Sequence, residues 1–271
     1  MEKQTKLLIK IQLLLKQLNQ REYLHHFGPK KFKLEQHLTA LLAMQICRMS
    51  FRRIEKFFFL IGISAPTYSS LCKSRKRIPI SLWNFLLKAT IDFDNFSVAV
   101  DSTGFSRTNP SFHYIKRIDS KNPVKRYAKT SALFDINRRK FIALKARVKP
   151  RHDIKDVDYL LKNRKIKLLI GDSAYDAESL FEKCFNKKIR VIVKVKKNSK
   201  KGFYRRKILK DYSNEIYHQR SMIESGWSSL KRKYGGNVLG KNWKSINAEI
   251  YSKAICHNLN LFNQRFSTEP E

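Results

Sequence analysis

The stretch FSVAVD, residues 96–101, is rich in apolar and β-branched side chains and ends in an acid. It predicts a buried strand that finishes at Asp101. A second run of the same kind, KLLIGD at residues 167–172, predicts a strand that finishes at Asp172. Because open α/β sheets place their ligand sites at strand ends, the two aspartates mark a candidate site.

The segments around these two runs alternate between strand and helix patterns. Residues 127–148 predict two strands joined by a turn at 135–138, and residues 190–195 predict one more strand. Helical patterns cover residues 153–162, 177–185, 213–234 and 245–262. This alternation is typical of an α/β domain.

The chain is strongly basic. Its 271 residues include 57 Lys and Arg against 22 Asp and Glu, a formal net charge of +35, and 42% are apolar. The apolar share is ample for a buried core, and the charge is best tolerated with a phosphate polymer as partner. This balance disfavours a small-molecule metabolic enzyme and leaves nucleases, recombinases, ribosomal proteins and membrane-surface proteins open.

The cysteines and the N-terminus indicate a cytoplasmic protein. Four scattered cysteines are typical of reduced thiols. Residues 1–33 predict an N-terminal amphipathic helix, because Lys6, Lys10 and Lys16 interrupt its apolar run. No uncharged apolar run reaches about 18 residues, so no membrane span is predicted, although a basic helix lying on anionic lipid stays open.

Residues 34–90 predict an all-helical region with a helix-turn-helix pattern. Ser64 is expected to cap a helix that Pro66 begins. The basic side chains at the end of that third helix would contact DNA, with the helix in the major groove. They are Lys73, Arg75, Lys76 and Arg77. The alternative is an ordinary three-helix bundle whose basic residues are only a solvated face.

The two strand-end aspartates favour metal chemistry. In a chain with so few acids, a carboxylate at the end of an apolar strand is costly to desolvate unless a cation neutralises it. Carboxylates are ligands that Mg²⁺ or Mn²⁺ prefers, and a third carboxylate would allow a site for two ions.

The predicted helix at residues 213–234 supplies that third acid, Glu224. At about 100° per residue, Tyr217, Arg220, Glu224 and Lys231 fall within an arc of roughly 60°. A neighbouring apolar stripe, which is expected to pack on the sheet, holds Tyr212, Ile216, Ile223, Trp227, Leu230 and Tyr234. The alternative is an exposed ion pair between Arg220 and Glu224, one turn apart.

The spacing YHQRSMIESGWSSLK, with Tyr217, Arg220, Glu224 and Lys231, resembles the hallmark of insertion-sequence DDE transposases. Asp101 in VAVDSTGF and Asp172 in LIGDSAYDAE are similar to the family's first and second acids. The resemblance covers residues 92–265. Only 224 − 172 = 52 residues separate the last two acids, so the large β-rich insertion of some members is not expected.

The resemblance implies a ribonuclease-H-like mixed sheet flanked by helices, within a catalytic domain at residues 91–271. It further implies that Asp101, Asp172 and Glu224 hold two Mg²⁺ or Mn²⁺ ions, and that Tyr217, Arg220 and Lys231 grip DNA phosphates. Residues 34–90 would bind the terminal inverted repeats. The expected partners are the transposon ends and the target DNA, with a homodimer as the active complex, in a prokaryotic nucleoid.

Two rival functions stay open at this point. One is a ribonuclease-H-like nuclease or resolvase that cuts without joining, and the other is a non-catalytic basic nucleic-acid-binding protein. The remaining acids of the region have local explanations: a hairpin turn for Asp135, a helix cap for Asp153, and a helix start for Asp176 and Glu178.

Overall fold

The computed structural model describes residues 30–91, 96–107, 127–149, 151–196 and 201–260, the backbone of the last helix to residue 265, and a few single positions elsewhere. The predicted helix at residues 1–33 lies almost wholly outside this part. The chain forms two compact units. The helical unit comprises Met1–Thr90, Arg107–Pro110 and Leu230–Glu271, and the sheet unit comprises Ile91–Ser106 and Ser111–Ser229.

The helical unit is built around the last helix of the chain. Its elements are α1 (Leu34–Ile46), α2 (Phe51–Leu60), α3 (Tyr68–Arg77), α4 (Ile80–Ala89) and α10 (Trp243–Arg265). Helix α10 contacts α1, α3 and α4, and residues 245–259 are buried on every side of it. A helix surrounded in this way is the centre of a bundle.

The units divide the chain differently from the domains expected from the sequence. The first division falls at residue 90, and the described residues from Leu230 onward are grouped with the N-terminal helices. Their contacts with α1, α3 and α4 are remote in sequence, so local patterns do not reveal them. The assignment of residues 34–90 to DNA binding stays a prediction.

The third helix of the unit begins later than expected. Thr67, not Ser64, is the N-cap of α3, and its hydroxyl accepts a hydrogen bond from the Ser70 amide at 3.4 Å. The Glu55 carboxylate also accepts from the Tyr68 amide at 2.8 Å, so α2 helps to fix the start of α3. Ser64 instead offers its carbonyl oxygen to the Gln36 amide group.

The sheet unit contains five strands in the order β3-β2-β1-β4-β5. Strand β1 pairs with β2 in antiparallel fashion and with β4 in parallel, β2 pairs antiparallel with β3, and β4 pairs parallel with β5. The strands are β1 (Phe96–Ser106), β2 (Tyr127–Asp135), β3 (Lys140–Arg147), β4 (Ile166–Gly171) and β5 (Arg190–Val193). The predicted ribonuclease-H-like mixed sheet is confirmed.

In the continuously described stretches, five helices and a 3₁₀ turn (Ser173–Tyr175) accompany the sheet. The helices are α5 (Ile154–Leu161), α6 (Glu178–Asn186), α7 (Phe203–Lys210), α8 (Asn214–His218) and α9 (Ser221–Tyr234), of which α9 runs into the helical unit at Leu230. Apolar side chains from β1, β4, α5 and α6 form the core. Helix α7 was not predicted from the sequence.

The single helix predicted at residues 213–234 is in fact two helices, α8 and α9, separated at Gln219 and Arg220. Across the break the amides of Gln219, Arg220, Met222 and Ile223 each bond the carbonyl three residues back. The Ser221 hydroxyl also donates to the His218 carbonyl at 3.0 Å. Three-residue bonding winds the chain more tightly than an α-helix does, so the predicted arc is altered between Tyr217 and Glu224.

In the described part of the chain, no helix combines the length and the apolar character that crossing a bilayer requires.

A carboxylate site at the sheet edge

Asp101 lies in the middle of β1, not at its end as predicted. The strand continues to Ser106 because its antiparallel pairing with β2 runs through Ser106, with Asp101 opposite Ala132. The parallel pairing with β4 stops earlier, at Ala99 opposite Ile170. Continuing this register by two residues brings Asp101 level with Asp172, immediately beyond the end of β4. The two acids therefore share one edge of the parallel half of the sheet.

Helix α9 covers the face of the sheet that carries Asp101. Residues at alternate positions of a strand share a face, so Asp101 lies on the same face as Phe105. The Trp227 ring packs against Phe105, with ring centroids 6.2 Å apart, and against Phe141 at 4.7 Å. Trp227 is therefore a core residue, as the apolar stripe predicted, and Glu224 lies one turn before it.

Asp101 has an unusual electrostatic environment. Burial raises the pKa of its carboxyl, and the charges of Asp172 and Glu224 add to this rise. The Ser102 amide and the Arg220 charge oppose it, and the resulting pKa is about 6, against an ordinary value of 3.8. Asp101 thus interacts with both other predicted catalytic acids.

Asp172 follows β4 directly and begins the 3₁₀ turn. Its carboxylate accepts a hydrogen bond from the Ala174 amide at 2.9 Å, which fixes the side chain at the strand end. The side chain is half-buried, so it is open on one side to solvent or a ligand.

Glu224 is paired with Arg220 in this structure. The Arg220 guanidinium lies 2.7 Å from the Glu224 carboxylate, and the Glu224 side chain is 54% exposed. This is the i,i+4 ion pair that the sequence offered as the alternative. Burial lowers the pKa of Arg220, but the charges of Glu224, Tyr217 and Asp101 outweigh it and raise the pKa above its ordinary value. The pair therefore also faces Asp101.

Tyr217 and Lys231 are the other two residues of the predicted group, and their contacts tie them less closely to the three acids. The Tyr217 ring lies at the end of α8, is half-buried, and packs near the Tyr212 ring with centroids 5.8 Å apart. Lys231 is half-buried and lies about two turns beyond Glu224 on α9, where the chain has entered the helical unit. Tyr217 and Arg220 thus come near the acids, and Lys231 is placed only by its position on the same helix.

Tyr175 is a buried residue that the sequence did not single out, and it packs in the core with Val100 on the face of β1 opposite Asp101. It is 1% exposed, and its hydroxyl has no hydrogen-bond partner among the residues that the structure describes. Burial raises the pKa of its phenol, and the nearby charges of Asp153, Asp101 and Asp172 raise it further. A neutral buried hydroxyl close to several carboxylates is a donor available to one of them.

A second group of charges lies under the opposite face of β1. The Asp153 carboxylate accepts from the Ser102 hydroxyl at 2.6 Å and from the Lys129 ammonium at 2.8 Å, and it pairs with Arg147. Asp156 accepts from the Ser131 hydroxyl at 2.8 Å and lies 2.9 Å from the same guanidinium. Asp153 is the N-cap residue of α5, as predicted, but its side chain makes no capping hydrogen bond and is engaged by these partners instead.

This group, called here the α5 charge network, comprises Ser102, Lys129, Ser131, Arg147, Asp153 and Asp156. Burial raises the pKa of Asp153, but the hydrogen bonds from Lys129 and Ser102 and the charges of Lys129 and Arg147 outweigh it. The pKa of Asp153 is consequently held below its ordinary value. Because Ser102 follows Asp101 on β1, the network fixes the strand at the acid.

The other acids have structural roles. Asp135 accepts from the Asn137 and Arg138 amides, as expected in a hairpin turn. Asp176 is fully buried and lies 2.8 Å from the Arg205 guanidinium. Glu178 accepts from the amides of Tyr204 and Arg205, which begin α7. These bonds from residues some 26 positions away explain why α7 forms and why its sequence alone did not reveal it.

The basic residues of α3 have different exposures. Lys73, Lys76 and Arg77 are exposed, as DNA contacts require. Arg75 is buried instead: its guanidinium lies 3.5 Å from the Glu249 carboxylate and stacks over the Phe51 ring at 4.7 Å from the centroid. The expectation that Arg75 contacts DNA from the helix surface is therefore not supported by its position.

The donor chemistry of the three acids suits a divalent cation. Carboxylate oxygens are hard ligands, and a cation would relieve the burial and repulsion that raise the pKa of Asp101. In the described part of the chain, however, no three acids, histidines or cysteines are gathered closely enough to hold a metal ion. Glu224 in particular is engaged by Arg220, so its carboxylate must turn away from that partner to join the others.

Comparison with known proteins gives a family match and a structural likeness. The family model described as "Transposase DDE domain" matches residues 97–259, more than half of the chain. A cryo-EM structure of the piggyBac transposase synaptic complex with hairpin DNA is similar at 12% identity and a TM-score of 0.49, covering 96% of this chain and 72% of that one. A search of curated protein sequences found no match.

The matched segment contains all three acids and extends across both compact units. Enzymes with this domain catalyse metal-dependent DNA cleavage and strand transfer, and they generally use divalent metal ions. The chain belongs to the DDE transposase family.

Proposed function

We propose that Asp101, Asp172 and Glu224 are the catalytic acids with which this transposase cuts the ends of an insertion sequence and joins them to target DNA. The observation that carries the proposal is the strand register, which when continued sets Asp101 level with Asp172 just beyond the end of β4. Burial raises the pKa of Asp101, and the charges of Asp172 and Glu224 add to that rise. Such coupling is typical of functional sites. A purely structural role of these acids would not need this arrangement, and neither would neutralisation of the chain's positive charge.

The three carboxylates would hold two divalent ions, Mg²⁺ or Mn²⁺. When bound, the ions supply charge stabilisation to the attacking and leaving oxygens of an in-line displacement. The charges of Asp172 and Glu224 both act on Asp101, so Asp101 is proposed as a ligand of both ions. The register of β1 and β4 supports a shared place for Asp101 and Asp172, and Glu224 on α9 would join them once it turns away from Arg220.

Arg220 can pair with either of two groups, the Glu224 carboxylate or a DNA phosphate. In the protein alone it neutralises Glu224 at 2.7 Å. A DNA phosphate would compete for the guanidinium, which can bind phosphate through two parallel hydrogen bonds. Transfer of Arg220 to the phosphate would free Glu224 as a ligand. Tyr217 and Lys231 are proposed as further contacts that position the DNA backbone without reading its sequence.

The helical unit is proposed to recognise the terminal inverted repeats through Lys73, Lys76 and Arg77 on α3. Two ends must be brought together before they are joined, so a homodimer is proposed as the active complex. The expected location is the bacterial or archaeal nucleoid, where the DNA partner lies.

A supercoiled plasmid that carries the element's ends tests this function. With Mg²⁺, the wild-type protein should release the element and form strand-transfer products, whereas Asp101→Ala, Asp172→Ala and Glu224→Ala should each do neither and still bind DNA. Cutting by all three variants at the wild-type rate would refute the site. Cutting by the wild type without any joined product would indicate a nuclease or resolvase instead.

A further inference from the structure

The helical unit contains a cavity of about 620 Å³ that the catalytic proposal does not use. It lies between the C-terminal end of α1, the inner side of α3, the loop that follows α9, and α10. This volume is in the range of small-ligand sites, which occupy roughly 300 to 1,000 Å³.

The charges that line the cavity are mostly positive. Glu249 is the only acid among its lining residues, so far as the structure describes the chain. The lining cations are Arg48, Arg75, Lys76, Lys241 and Lys253. Five cations and one acid leave 5 − 1 = 4 positive charges at the cavity. Arg75 and Lys253 are buried, where a missing counter-charge is costly, whereas Arg48, Lys76 and Lys241 are exposed.

Glu249 is already engaged by other groups. Its carboxylate accepts from the amides of Leu239 and Gly240 at 3.0 and 3.1 Å, and the Arg75 guanidinium lies 3.5 Å away. The Lys253 ammonium is 3.8 Å from it and donates instead to the carbonyls of Gly235 and Asn237. One acid shared in this way cannot neutralise the remaining cations.

Lys253 shows the consequence of this imbalance. Its side chain is 2% exposed, on α10. Burial lowers the pKa of its ammonium, and the charge of Arg48 lowers it further, while Glu249 only partly compensates. An additional anion beside Lys253 would stabilise the charged form.

Two buried polar atoms at the cavity have no partner among the described residues. They are Nε of Arg75 and the hydroxyl oxygen of Ser245, on residues that are 9% and 1% exposed. Both residues line the cavity. Buried donors without partners are rare in folded proteins, and each indicates a bond still to be made. A ligand with several acceptor oxygens would satisfy them.

Arg48 lines the cavity at the end of α1. Its backbone φ of 52° is in the left-handed region, as is common for the residue that follows a helix C-cap, here Cys47. Beside the cations, Met49, Phe51 and Leu239 provide an apolar wall on which a flat ring can rest.

We propose that this cavity binds the phosphate of a nucleotide unit, whose base or sugar rests on the apolar wall. The source is DNA, a choice that rests on the proposed function; the phosphate site itself does not depend on it. Arg75, which the sequence analysis assigned to the outer face of α3, would then contact DNA from inside this cavity.

Cysteine protection provides the test. Cys72 lines the cavity and is half-buried, whereas Cys47 is half-buried but does not line it. The full-length protein is alkylated with iodoacetamide without divalent metal, and the two rates are read by peptide mass spectrometry. A short duplex or thymidine 5′-monophosphate at ten times its Kd should slow Cys72 alkylation about tenfold and leave Cys47 unchanged. Thymidine, which has no phosphate, should protect neither.

Matched charge variants separate the cavity from general electrostatics. Arg48→Gln with Lys241→Gln removes two exposed cations of the cavity, neither of which is assigned to the inverted repeats, and protection should be lost. Lys56→Gln with Lys88→Gln removes two exposed cations that do not line it, and protection should persist. Equal protection in both double variants would overturn the site.

The ligand arms identify the source of the phosphate. Protection by the duplex supports DNA, whereas protection by the mononucleotide but not the duplex would keep the phosphate site and overturn DNA as its source. Protection by neither, or equally by thymidine, would overturn the proposal. Asp101→Asn should still show protection even if the catalytic assignment fails, so the two proposals fail separately.

Discussion

At the scale of single residues, two aspartates near β1 have opposite pKa shifts. Asp101 lies on the strand itself, and Asp153 lies at the start of α5 and bonds Ser102, the next residue of the strand. Asp101 is desolvated and faces two other acids, so its pKa rises to about 6. Asp153 is also desolvated, but it accepts bonds from Lys129 and Ser102 and pairs with Arg147, so its pKa falls. The partners thus oppose the effect of burial at Asp153 and add to it at Asp101.

The raised pKa of Asp101 predicts a stability cost at neutral pH. Ionising a carboxyl whose folded pKa is above its unfolded value destabilises the fold as pH rises through about 6. Asp101→Asn removes that charge, so without metal it should raise the free energy of unfolding by about 1 to 2 kcal/mol at pH 8, after allowance for partial exposure. The gain should vanish near pH 4. Urea unfolding in EDTA at both pH values measures it, and equal stabilities at pH 8 would contradict the environment described for Asp101.

The depressed pKa of Asp153 predicts the opposite dependence. Its ionised form stabilises the fold above the ordinary aspartate pKa, and this contribution is lost as pH falls through the lower folded value. Asp153→Asn would leave the buried Arg147 without one of its two acids and should cost about 3 kcal/mol at pH 7. The deficit should shrink in acid. Asp158→Asn, at an exposed ion pair with Lys183, is the control and should change stability little.

The sequence predicted the acids of the site but not their supporting residues. Asp101, Asp172 and Glu224 follow from local patterns, because each is defined by its own strand or helix and by a fixed spacing. The partners of Asp153 come from strands 24 and 51 residues away, so no local pattern joins them. Tyr175 was missed for the same reason, since its neighbours converge only in the fold.

At the scale of elements, a glycine sets how closely α9 approaches the sheet. A Cβ at Gly226 would lie 2.6 Å from the Phe134 ring of β2. That ring is buried and packs on Phe141, with centroids 4.9 Å apart, so it has little room to move. Since Glu224 lies on the same helix, the close approach also determines where the third acid lies.

The variant Gly226→Ala tests this contact, because the sign of its effect on the stability of the fold depends on how tight the contact is. In an exposed helix interior the change would stabilise by about 1 kcal/mol. Here we expect destabilisation of about 1 to 3 kcal/mol from overpacking, together with reduced strand transfer, because α9 must move. Thermal unfolding and the plasmid assay measure both effects. Ser228→Ala, at an exposed position of α9, should leave both nearly unchanged, and a stabilised, fully active Gly226→Ala would show that the approach is not tight.

The helices were harder to predict than the strands. Apolar strands were found within a few residues, because their buried runs are local. The break between α8 and α9 depends on three-residue hydrogen bonds and on Ser221, and α7 depends on capping by Glu178 from another helix. Helical periodicity carries neither kind of information.

At the scale of the whole molecule, the charge of +35 is divided among different tasks. Arg147 and Arg205 are engaged in buried ion pairs within the sheet unit. Arg75 and Lys253 line a cavity of the helical unit. The exposed remainder, including Lys73, is available to the phosphate backbone of DNA. Composition predicted the partner, and only the structure separates the cations that contact it from those that hold the fold.

The salt dependence of duplex binding tests one proposed phosphate contact, that of Lys231. Lys231→Ala should weaken duplex binding and reduce the slope of log K against log[salt] by about one phosphate contact, because one counterion fewer is released. Fluorescence anisotropy from 50 to 300 mM salt, a range chosen because the screening of exposed charges changes strongly over it, gives the slope. Lys167→Ala, an exposed lysine on β4, serves as the control of equal charge. An unchanged slope for Lys231→Ala would argue against a phosphate contact there.

The most direct test of the central claim is the metal preference of an Asp101→Cys transposase. Oxygen ligands suit Mg²⁺, whereas a thiolate accepts softer metals far better. Strand transfer from pre-cut ends is measured with Mg²⁺ and with Mn²⁺, alongside DNA binding. The account predicts that the wild type joins DNA with either ion, and that Asp101→Cys binds DNA normally but joins it only with Mn²⁺. Wild-type joining by Asp101→Cys in Mg²⁺ would contradict the assignment of Asp101 as a metal ligand.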